Sequence, residues 1–167
     1  MNLLFLWSTS LLNLIEKENL VSTIEELRKQ GKTIVTTNGC FDLLHVGHVR
    51  YLQKTKTFAD VCIVMLNSDA SVKRLKGETR PLNNERDRAE ILCALSCVDY
   101  VVIFDEDTPR NLLDIIKPDV HTKGGDYTLD TLPEADVIRK NNIHVEFITF
   151  VEGKSTTNII NKMNNHN

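Results

Sequence analysis

The stretch Thr36-Thr37-Asn38-Gly39-Cys40-Phe41-Asp42-Leu43-Leu44-His45-Val46-Gly47-His48 sets the organisation of the whole chain. Its β-branched start continues a predicted strand, and the Asn-Gly pair predicts a turn. A helix beginning near His48 would offer free backbone N–H groups and a positive dipole end, which favour phosphate. Gly47 allows close approach of a ligand, and His45 and His48 are spaced to face the same ligand. The stretch therefore predicts a polyphosphate site with two imidazoles beside Asp42.

The composition describes a single globular domain. The chain has 167 residues, of which 41% are hydrophobic and 26% are charged, and this length suits one domain with a real core. A net charge of −3 and a pI of about 5.9 argue against a nucleic-acid-binding surface, so we expect no nucleic-acid partner. An anionic substrate would need a local basic patch.

The cysteines indicate a reducing compartment. Cys40, Cys62, Cys93 and Cys97 show no C-x-x-C spacing. Such residues are typically buried thiols rather than disulfides or zinc ligands. We therefore expect a cytoplasmic protein whose sequence contains no metal-ligand motif.

Residues 1–18 are predicted to form an N-terminal extension. Its apolar run Leu3-Leu4-Phe5-Leu6-Trp7 follows no basic residue and is too short to cross a bilayer, so we expect neither a signal peptide nor a membrane partner. The run is expected to pack on the domain or on a second subunit. The domain itself is assigned to residues 19–163, and the Asn-rich residues 164–167 are assigned to a frayed tail.

Apolar patterns predict strands and helices that alternate along the domain. The continuous apolar run at 61–66 is typical of a strand buried on both faces of a parallel sheet. The predicted strands cover residues 32–37, 61–66, 100–104, 119–123 and 144–150. The predicted helices cover residues 19–30, 48–58, 84–97, 109–117, 132–140 and 155–163, with a basic loop at 73–80. The pattern predicts an α/β fold, namely a three-layer, Rossmann-like, doubly wound parallel sheet in a single domain.

The unusual residues of the chain gather where the predicted strands end. They lie at positions 38–48, 67–69, 123–127 and 153–157. Ligands of open parallel sheets bind beyond the carboxyl ends of the strands. The four segments therefore predict one active site at that edge.

Two imidazoles at such an edge suit nucleotidyl transfer. That reaction needs in-line approach of a phosphate oxygen to the α-phosphorus, neutralisation of charge at that centre and a cradle for pyrophosphate. We predict that His45 and His48 donate hydrogen bonds to the α- and β-phosphate oxygens. A phosphate nucleophile is already ionised, so no general base is required. Backbone N–H groups near the same atoms are expected from Asn38, Gly39, Cys40 and Phe41.

Asp42 and several loops supply further candidates. Asp42 could orient a histidine, bind a substrate hydroxyl or bind Mg²⁺, and its position in the sequence leaves these roles open. The basic loop at 73–80 could close over the β- and γ-phosphates, with Arg88 as a further phosphate contact. The remaining candidates for nucleotide binding are Gly47, Asn67, Asp69, Ser155, Thr156 and Thr157. The last three are hydroxyl residues that would also cap the final helix.

Residues 123–127 are predicted to bind the acceptor substrate. Lys123 could neutralise a phosphate, and Asp126 could accept hydrogen bonds from sugar hydroxyls. The paired glycines suggest backbone packed close to a ligand. The candidates for acceptor binding are Asp42, Lys123, Gly124, Asp126 and Tyr127.

The segment Gly39-x-Phe41-Asp42 followed by His45-x-Gly47-His48 resembles the signature G-x-F-D-x-x-H-x-G-H of the cytidylyltransferase-like nucleotidyltransferases. The resemblance runs from about residue 31 to 163 and implies a nucleotidyltransferase. Within the basic loop it singles out Lys76 and Arg80 as catalytic residues beside the two histidines. Mg²⁺ is expected to accompany ATP because of the chemistry of triphosphates. The resemblance and the apolar N-terminus together suggest a homodimer.

Four stretches are similar to the heptose 1-phosphate adenylyltransferases, namely residues 37–49, 67–77, 123–127 and 152–157. This resemblance implies transfer of AMP from ATP to D-glycero-β-D-manno-heptose 1-phosphate. Pyrophosphate would be released, and ADP-heptose would serve lipopolysaccharide or other surface glycans. Some members are fused behind a sugar kinase domain, and the chain resembles the stand-alone form. It departs from the heptose pattern at Asn141-Asn142 and at His121-Thr122.

Other functions remain open at this point. A glycerol-3-phosphate cytidylyltransferase usually shows R-T-E-G-I-S-T-T near its C-terminus, whereas residues 150–154 here lack the arginine. A non-enzymatic nucleotide sensor would be expected to lose one of the two histidines, and both are present. Class I aminoacyl-tRNA synthetases share H-x-G-H but need a K-M-S-K-S-type loop and a much longer chain. The cytidylyltransferase and the sensor are the alternatives that we carry forward.

Overall fold

Strands and α-helices alternate along the part of the chain that the structure, a computed structural model, describes, namely residues 13–125 and 127–149. The strands are β1 (Ile34–Gly39), β2 (Val61–Asn67), β3 (Tyr100–Phe104), β4 (Val120–Gly124) and β5 (His144–Ile148). The α-helices are α1 (Leu20–Lys29), α2 (Val46–Lys56), α3 (Asp69–Lys76), α4 (Glu85–Cys93), α5 (Arg110–Ile116) and α6 (Ala135–Lys140). Short 3-10 turns cover Lys17–Asn19 and Leu129–Thr131.

The strands form one parallel sheet with the order β3-β2-β1-β4-β5. Strand β1 lies at its centre and pairs with β2, where Asn38 aligns with Met65, and with β4, where Thr37 aligns with Thr122. The chain adds β2 and β3 on one side of β1 and then β4 and β5 on the other. The topological switch point therefore lies between β1 and β4, which is where such sheets bind ligands. The predicted doubly wound parallel sheet is confirmed.

Helices cover both faces of this sheet. Ile24 of α1, Leu113 of α5 and Ile138 of α6 belong to one buried cluster. Leu52 of α2 and Leu92 of α4 belong to a second buried cluster, so the sheet is the middle of three layers. Strand β2 is buried along its whole length, as its continuous apolar run predicted. Each large side chain buried in this way contributes roughly 1.5–3 kcal/mol.

Side-chain caps determine where three of the helices begin. The Nδ1 atom of His45 accepts the Gly47 backbone N–H at 3.1 Å, so α2 begins at Val46 rather than at residue 48. Ser68 caps α3 by accepting the Ser71 N–H at 3.2 Å. Asn84 caps α4 by accepting two backbone N–H groups at 3.0 Å each. These side chains satisfy N–H groups that the first turn of a helix leaves unpaired.

The prediction of a basic loop at residues 73–80 is wrong for residues 73–76. Residues 73–76 complete α3, which the Ser68 cap begins and the fully buried Val72 anchors to the sheet. Gly77 has a φ of 98° and ends the helix. The helical periodicity was weak because the eight residues of this helix include only two large apolar side chains, Val72 and Leu75. Helix α4 likewise ends at Cys93 rather than at residue 97.

Residues before the first helix contact the edge of the sheet at β3. Ile15 donates its backbone N–H to Val101 at 2.8 Å, and Val101 donates to Asn13 at 2.9 Å. Residues 13–15 of the predicted extension therefore pack on the body. Residues 1–12, the predicted last helix at 155–163 and the tail at 164–167 lie outside the described residues. Within residues 13–125 and 127–149, no helix is both long and apolar enough to cross a membrane.

We predict that Asn84→Ala lowers the free energy of unfolding by about 0.5–2 kcal/mol, because the first turn of α4 loses its side-chain acceptor. Urea denaturation followed by circular dichroism measures the change. The control is Asn111→Ala, since the exposed Asn111 amide contacts the Glu106 carboxylate on the surface. The control should change the free energy of unfolding by less than about 0.5 kcal/mol. Equal losses in the two variants would contradict the role of the cap.

Candidate active site

A pocket of about 360 Å³ lies at the carboxyl ends of β1 and β4. Its volume falls within the range of sites for small molecules. The lining residues are Asn38, Gly39, Cys40, Phe41, His48, Tyr51, Lys76, Lys123, Gly124 and Tyr127. The structure thus brings together the end of β1, the first turns of α2, the end of α3 and the segment after β4. Of these lining residues, Tyr51 is the one that the sequence did not indicate.

The two histidines form a stacked pair at the start of α2. Their ring centroids are 3.9 Å apart and their planes are inclined by 23°. The His48 ring also contacts the edge of Phe41, with centroids 5.1 Å apart. Because the Nδ1 atom of His45 accepts the Gly47 N–H, the proton of a neutral His45 ring lies on Nε2. His45 can therefore both cap the helix and donate a hydrogen bond to a ligand.

Both imidazoles favour the neutral form. Burial, together with the nearby His45 and Lys76, lowers the pKa of His48 to about 4, although a backbone hydrogen bond with Leu43 opposes the shift. Burial also lowers the pKa of His45. A neutral imidazole donates one N–H, whereas an approaching polyphosphate would favour the protonated form. The pair can therefore add positive charge when an anion binds.

Asp42 and Arg80 form an ion pair with each other. The Asp42 side chain is fully buried and accepts from the Arg80 guanidinium, and its Oδ1 atom also accepts the Leu82 N–H at 2.7 Å. The Asn83 side chain donates to the Asp42 carbonyl at 3.1 Å. Residues 80–83 are thereby attached to the loop after β1. Within the described residues Asp42 contacts neither histidine, so the predicted orientation of a histidine by Asp42 is not what the structure shows.

Arg88 is buried behind the pocket, and its guanidinium donates hydrogen bonds to other groups of the protein. Its Nη1 atom donates to the carbonyls of Cys40 at 2.6 Å and Asn67 at 2.8 Å. Its Nε donates to the Asn83 carbonyl at 3.0 Å, and its Nη2 donates to Asp69 Oδ1 at 2.8 Å. The side chain is 0% exposed, so the predicted phosphate contact of Arg88 is wrong for this arrangement. The guanidinium instead joins the ends of β1 and β2.

Asn67 and Asp69 lie in the same buried network rather than on the pocket wall. The Asn67 side chain donates to Ser71 Oγ at 3.0 Å. The Asp69 backbone N–H donates to Glu85 at 2.8 Å, while its carboxylate pairs with Arg88. A nucleotide contact by these two residues stays a prediction, and their contacts in the structure are with α3 and α4.

Lys123 lies between β1 and a carboxylate that the sequence did not indicate. Its Nζ atom donates to Asn38 Oδ1 at 2.7 Å and lies 2.5 Å from Glu134 Oε1. Glu134 stands 11 positions along the chain and belongs to no motif, so its place beside Lys123 is a product of the tertiary fold. Asn38 links the predicted nucleotide and acceptor halves of the pocket through this lysine.

Several predicted residues lie outside the described residues, namely Asp126, Ser155, Thr156 and Thr157. Among residues 13–125 and 127–149, no group of three or more His, Cys, Asp or Glu side chains is arranged to hold a metal ion. Cys62 and Cys97 are buried thiols, and Cys40 and Cys93 are half-buried thiols.

The fold and the pocket define a class of protein, namely an α/β domain with a pocket at the switch point of a parallel sheet. A family model described as cytidylyltransferase-like matches residues 36–162, which is most of the chain. The chain therefore belongs to the cytidylyltransferase-like family and is a nucleotidyltransferase. The family that the H-x-G-H motif indicated is thus confirmed.

Curated relatives carry the name bifunctional protein HldE. The chain is 59% identical to that of Geobacter metallireducens over 146 residues, which are 87% of this chain and 30% of that protein. It is 53% identical to that of Campylobacter fetus subsp. fetus over 149 residues, which are 88% of this chain and 32% of that protein. The chain therefore spans about a third of the length of these relatives.

Two solved structures share the fold. The lipopolysaccharide core biosynthesis protein from Thermoplasma volcanium has a TM-score of 0.59 and 29% identity, covering 74% of this chain and 100% of that chain. The pantoate-β-alanine ligase from Francisella tularensis has a TM-score of 0.58 and 17% identity, covering 88% of this chain and 75% of that chain. The second likeness concerns the fold alone.

We predict that His48 titrates near pH 4 in the ligand-free protein, because burial and neighbouring charge disfavour its protonated form. Nuclear magnetic resonance of the imidazole protons measures this pKa, with His48→Gln to assign the signal. Lys76→Met should raise the pKa, since it removes a nearby cation. Because the unfolded chain binds this proton at higher pH, stability from His48 should fall as the pH drops from about 6.5 to 4. A His48 pKa at or above 6.5 would contradict the described environment.

Proposed function

We propose that this chain transfers AMP from ATP to the phosphate of D-glycero-β-D-manno-heptose 1-phosphate. The observation that carries the proposal is the stacked His45–His48 pair, which lies at a helix start beside a pocket that contains two lysines. The similarity of its motif segments to heptose 1-phosphate adenylyltransferases supports the acceptor. The likeness to the lipopolysaccharide core biosynthesis protein from Thermoplasma volcanium supports a product destined for surface glycans.

The reaction on this proposal is an in-line displacement at the α-phosphorus. A phosphate oxygen of the acceptor forms a bond to that atom, the bond to the bridging oxygen breaks, and pyrophosphate leaves with the electron pair. His45 donates from Nε2 and His48 donates from its ring to phosphate oxygens as negative charge shifts to them. The N–H groups at the start of α2 add their dipoles. Preorganised donors of this kind are the main source of rate in phosphoryl chemistry.

On this proposal, Lys76 and Arg80 have different roles. Lys76 lines the pocket at the last residue of α3, directly before Gly77, and is placed to neutralise the leaving pyrophosphate. Arg80 is paired with Asp42, so we assign it to holding the loop after β1 against residues 80–83. Gly77 separates the two, and its φ of 98° lies where glycine is favoured.

We infer that Mg²⁺ enters bound to ATP. Asp42, the carboxylate that could have held it, is occupied by Arg80 and by the Leu82 N–H. No protein site in the described residues fits the ion, so its ligands would be phosphate oxygens and water, which Mg²⁺ commonly keeps. We also infer a homodimer in the cytoplasm that has ATP and a sugar 1-phosphate as its partners.

Release of pyrophosphate tests the function. The purified chain is incubated with Mg²⁺ and ATP or CTP against heptose 1-phosphate, glycerol 3-phosphate and other phosphorylated acceptors. We expect turnover to be fastest with ATP and the heptose 1-phosphate. Faster turnover with CTP and glycerol phosphate would overturn the proposal in favour of a cytidylyltransferase. Nucleotide binding without turnover for any pair would favour a sensor.

We predict that His48→Ala lowers kcat at least ~100-fold and leaves the fold intact, because a preorganised donor to the transition state is lost. Steady-state kinetics measures the rate, and circular dichroism checks the fold. The matched control is His144→Ala, since His144 starts β5 at the opposite edge of the sheet and contacts Glu146 there. The control should keep its rate within about twofold of the unmodified protein. Near-normal turnover of His48→Ala would refute the assigned role.

A further inference from the structure

The two lysines of the pocket have different electrostatic surroundings. Within residues 13–125 and 127–149, no carboxylate forms an ion pair with Lys76, whereas Lys123 lies 2.5 Å from Glu134. Lys76 therefore presents a full positive charge to a ligand. Lys123 presents a charge that is already compensated, since opposite charges in contact largely cancel at a distance. The pocket thus has an anion-attracting end and an end that is close to neutral.

Glu134 is the ion-pair partner of Lys123. It is 1% exposed and immediately precedes α6, whose first turn its own side chain does not cap. Burial alone would raise the pKa of Glu134, but the adjacent His121 ring and the charge of Lys123 outweigh burial and lower the pKa to about 2. The carboxylate is therefore ionised. A buried carboxylate is costly unless it is paired, and here its cationic partner is a residue of the pocket wall.

His121 supports this arrangement as a neutral ring. It is fully buried, its Nδ1 lies 2.9 Å from Thr36 Oγ1, and its Nε2 lies 3.7 Å from Glu134 Oε1. Burial lowers the pKa of His121, so the ring adds no second positive charge. Glu134 and Lys123 accordingly form a pair with no net charge.

The ammonium group of Lys123 has an N–H donor available for a ligand. An ammonium group has three donors. Asn38 Oδ1 accepts from one of them, Glu134 Oε1 is an ion-pair partner at 2.5 Å, and no further acceptor contacts Nζ in the part of the chain that the structure describes. The side chain is 15% exposed and lines the pocket with Gly124 and Tyr127. A donor held between an amide oxygen and an ion-paired carboxylate, within a pair of no net charge, suits an uncharged oxygen of a ligand.

We propose that Glu134 is a positioning residue that holds Lys123 on the pocket wall and compensates its charge, so that Lys123 donates to a hydroxyl group of the sugar rather than to a phosphate. This rests on the proposed function, because the acceptor of that reaction carries the hydroxyl groups. It replaces the expectation that Lys123 neutralises a phosphate. Phosphate binding is left to Lys76 and the two histidines.

The division of charge in the pocket matches a division in the acceptor. A phosphorylated sugar has its charge at one end and hydroxyl groups along the rest. On the proposed function the histidine pair meets the charged end of the acceptor, Lys76 meets the leaving pyrophosphate, and the Lys123–Glu134 pair meets the uncharged part of the sugar. The acceptor is thereby oriented, because each of its ends interacts with its own half of the pocket.

The variants Glu134→Gln and Lys123→Met test the proposal through the KM of each substrate. We expect each to raise the acceptor KM about 10-fold or more, since a hydrogen bond from a charged group is lost or misplaced. The KM for ATP should stay within about twofold. The double variant should be no worse than Lys123→Met alone, because Glu134 acts through the lysine. Additive losses, or an ATP KM that rises with the acceptor KM, would overturn the proposal.

The matched control is Asp136→Asn. Asp136 lies on the first turn of α6, two positions from Glu134, and pairs with Arg110 on the exposed surface. The Asp136→Asn substitution removes a carboxylate from the same region without changing a contact of Lys123. The KM of this variant for the acceptor should therefore not change. If Glu134→Gln fails to fold, Glu134→Asp keeps the charge and withdraws it from Nζ, and it should still raise the acceptor KM. A normal acceptor KM in folded Glu134→Asp and Lys123→Met would refute the inference.

Inhibition by inorganic phosphate, which mimics the acceptor phosphate, and by pyrophosphate, which mimics the leaving group, separates hydroxyl from phosphate recognition. Lys123→Met should leave both inhibition constants within about twofold, whereas Lys76→Met should weaken inhibition by pyrophosphate severalfold. Weakening by Lys123→Met, together with tightening by Glu134→Gln, would place Lys123 on a phosphate and overturn the proposal. Turnover by the unmodified chain decides the proposed function separately. If the unmodified chain uses another acceptor, or none, the same variants are compared by calorimetric Kd for the acceptor that binds.

Discussion

The buried guanidinium of Arg88 holds together the segments that build the site. It donates to carbonyl groups at Cys40, Asn67 and Asn83 and to the carboxylate of Asp69. A charged group without solvent requires partners for its donors, so the segments that supply those partners are restrained with respect to one another. The ends of β1 and β2 and the starts of α3 and α4 therefore behave as one unit. The loop that carries the histidines begins at one of its partners.

A second restraint acts from the other side of that loop. Asp42 accepts from Arg80 and from the Leu82 N–H, which ties the segment after Gly77 to the segment before α2. His45 then caps α2 with the same side chain that, on our proposal, faces the ligand. Structural hydrogen bonding and substrate binding would thus use one residue. This explains why the ring is oriented before any ligand arrives, which is the condition for electrostatic catalysis by fixed donors.

Much of the fold followed from local pattern. Alternating apolar segments and turn residues indicated the order of strands and helices, and the continuous run of β2 indicated burial on both faces. The extent of α3 was missed because Val72 is its one fully buried apolar residue, which leaves little helical periodicity to detect. Within the candidate site, the short H-x-G-H motif indicated the histidines, and the family resemblance indicated Lys76. Arg88 was assigned to phosphate because a sequence shows a charge but not whether that charge is buried.

By itself, the sequence determined the parallel α/β architecture and placed the histidine pair after the carboxyl end of a strand, since each depends on residues that are neighbours in the chain. The tertiary structure alone decided which charged groups meet. Asp42 and Arg80 are 38 positions apart, and Arg88 and Cys40 are 48 positions apart. Glu134 reaches Lys123 only because the chain folds back and brings the residue before α6 to the end of β4. Ion pairs of this kind depend on distances in space, and a single sequence contains no signal for them.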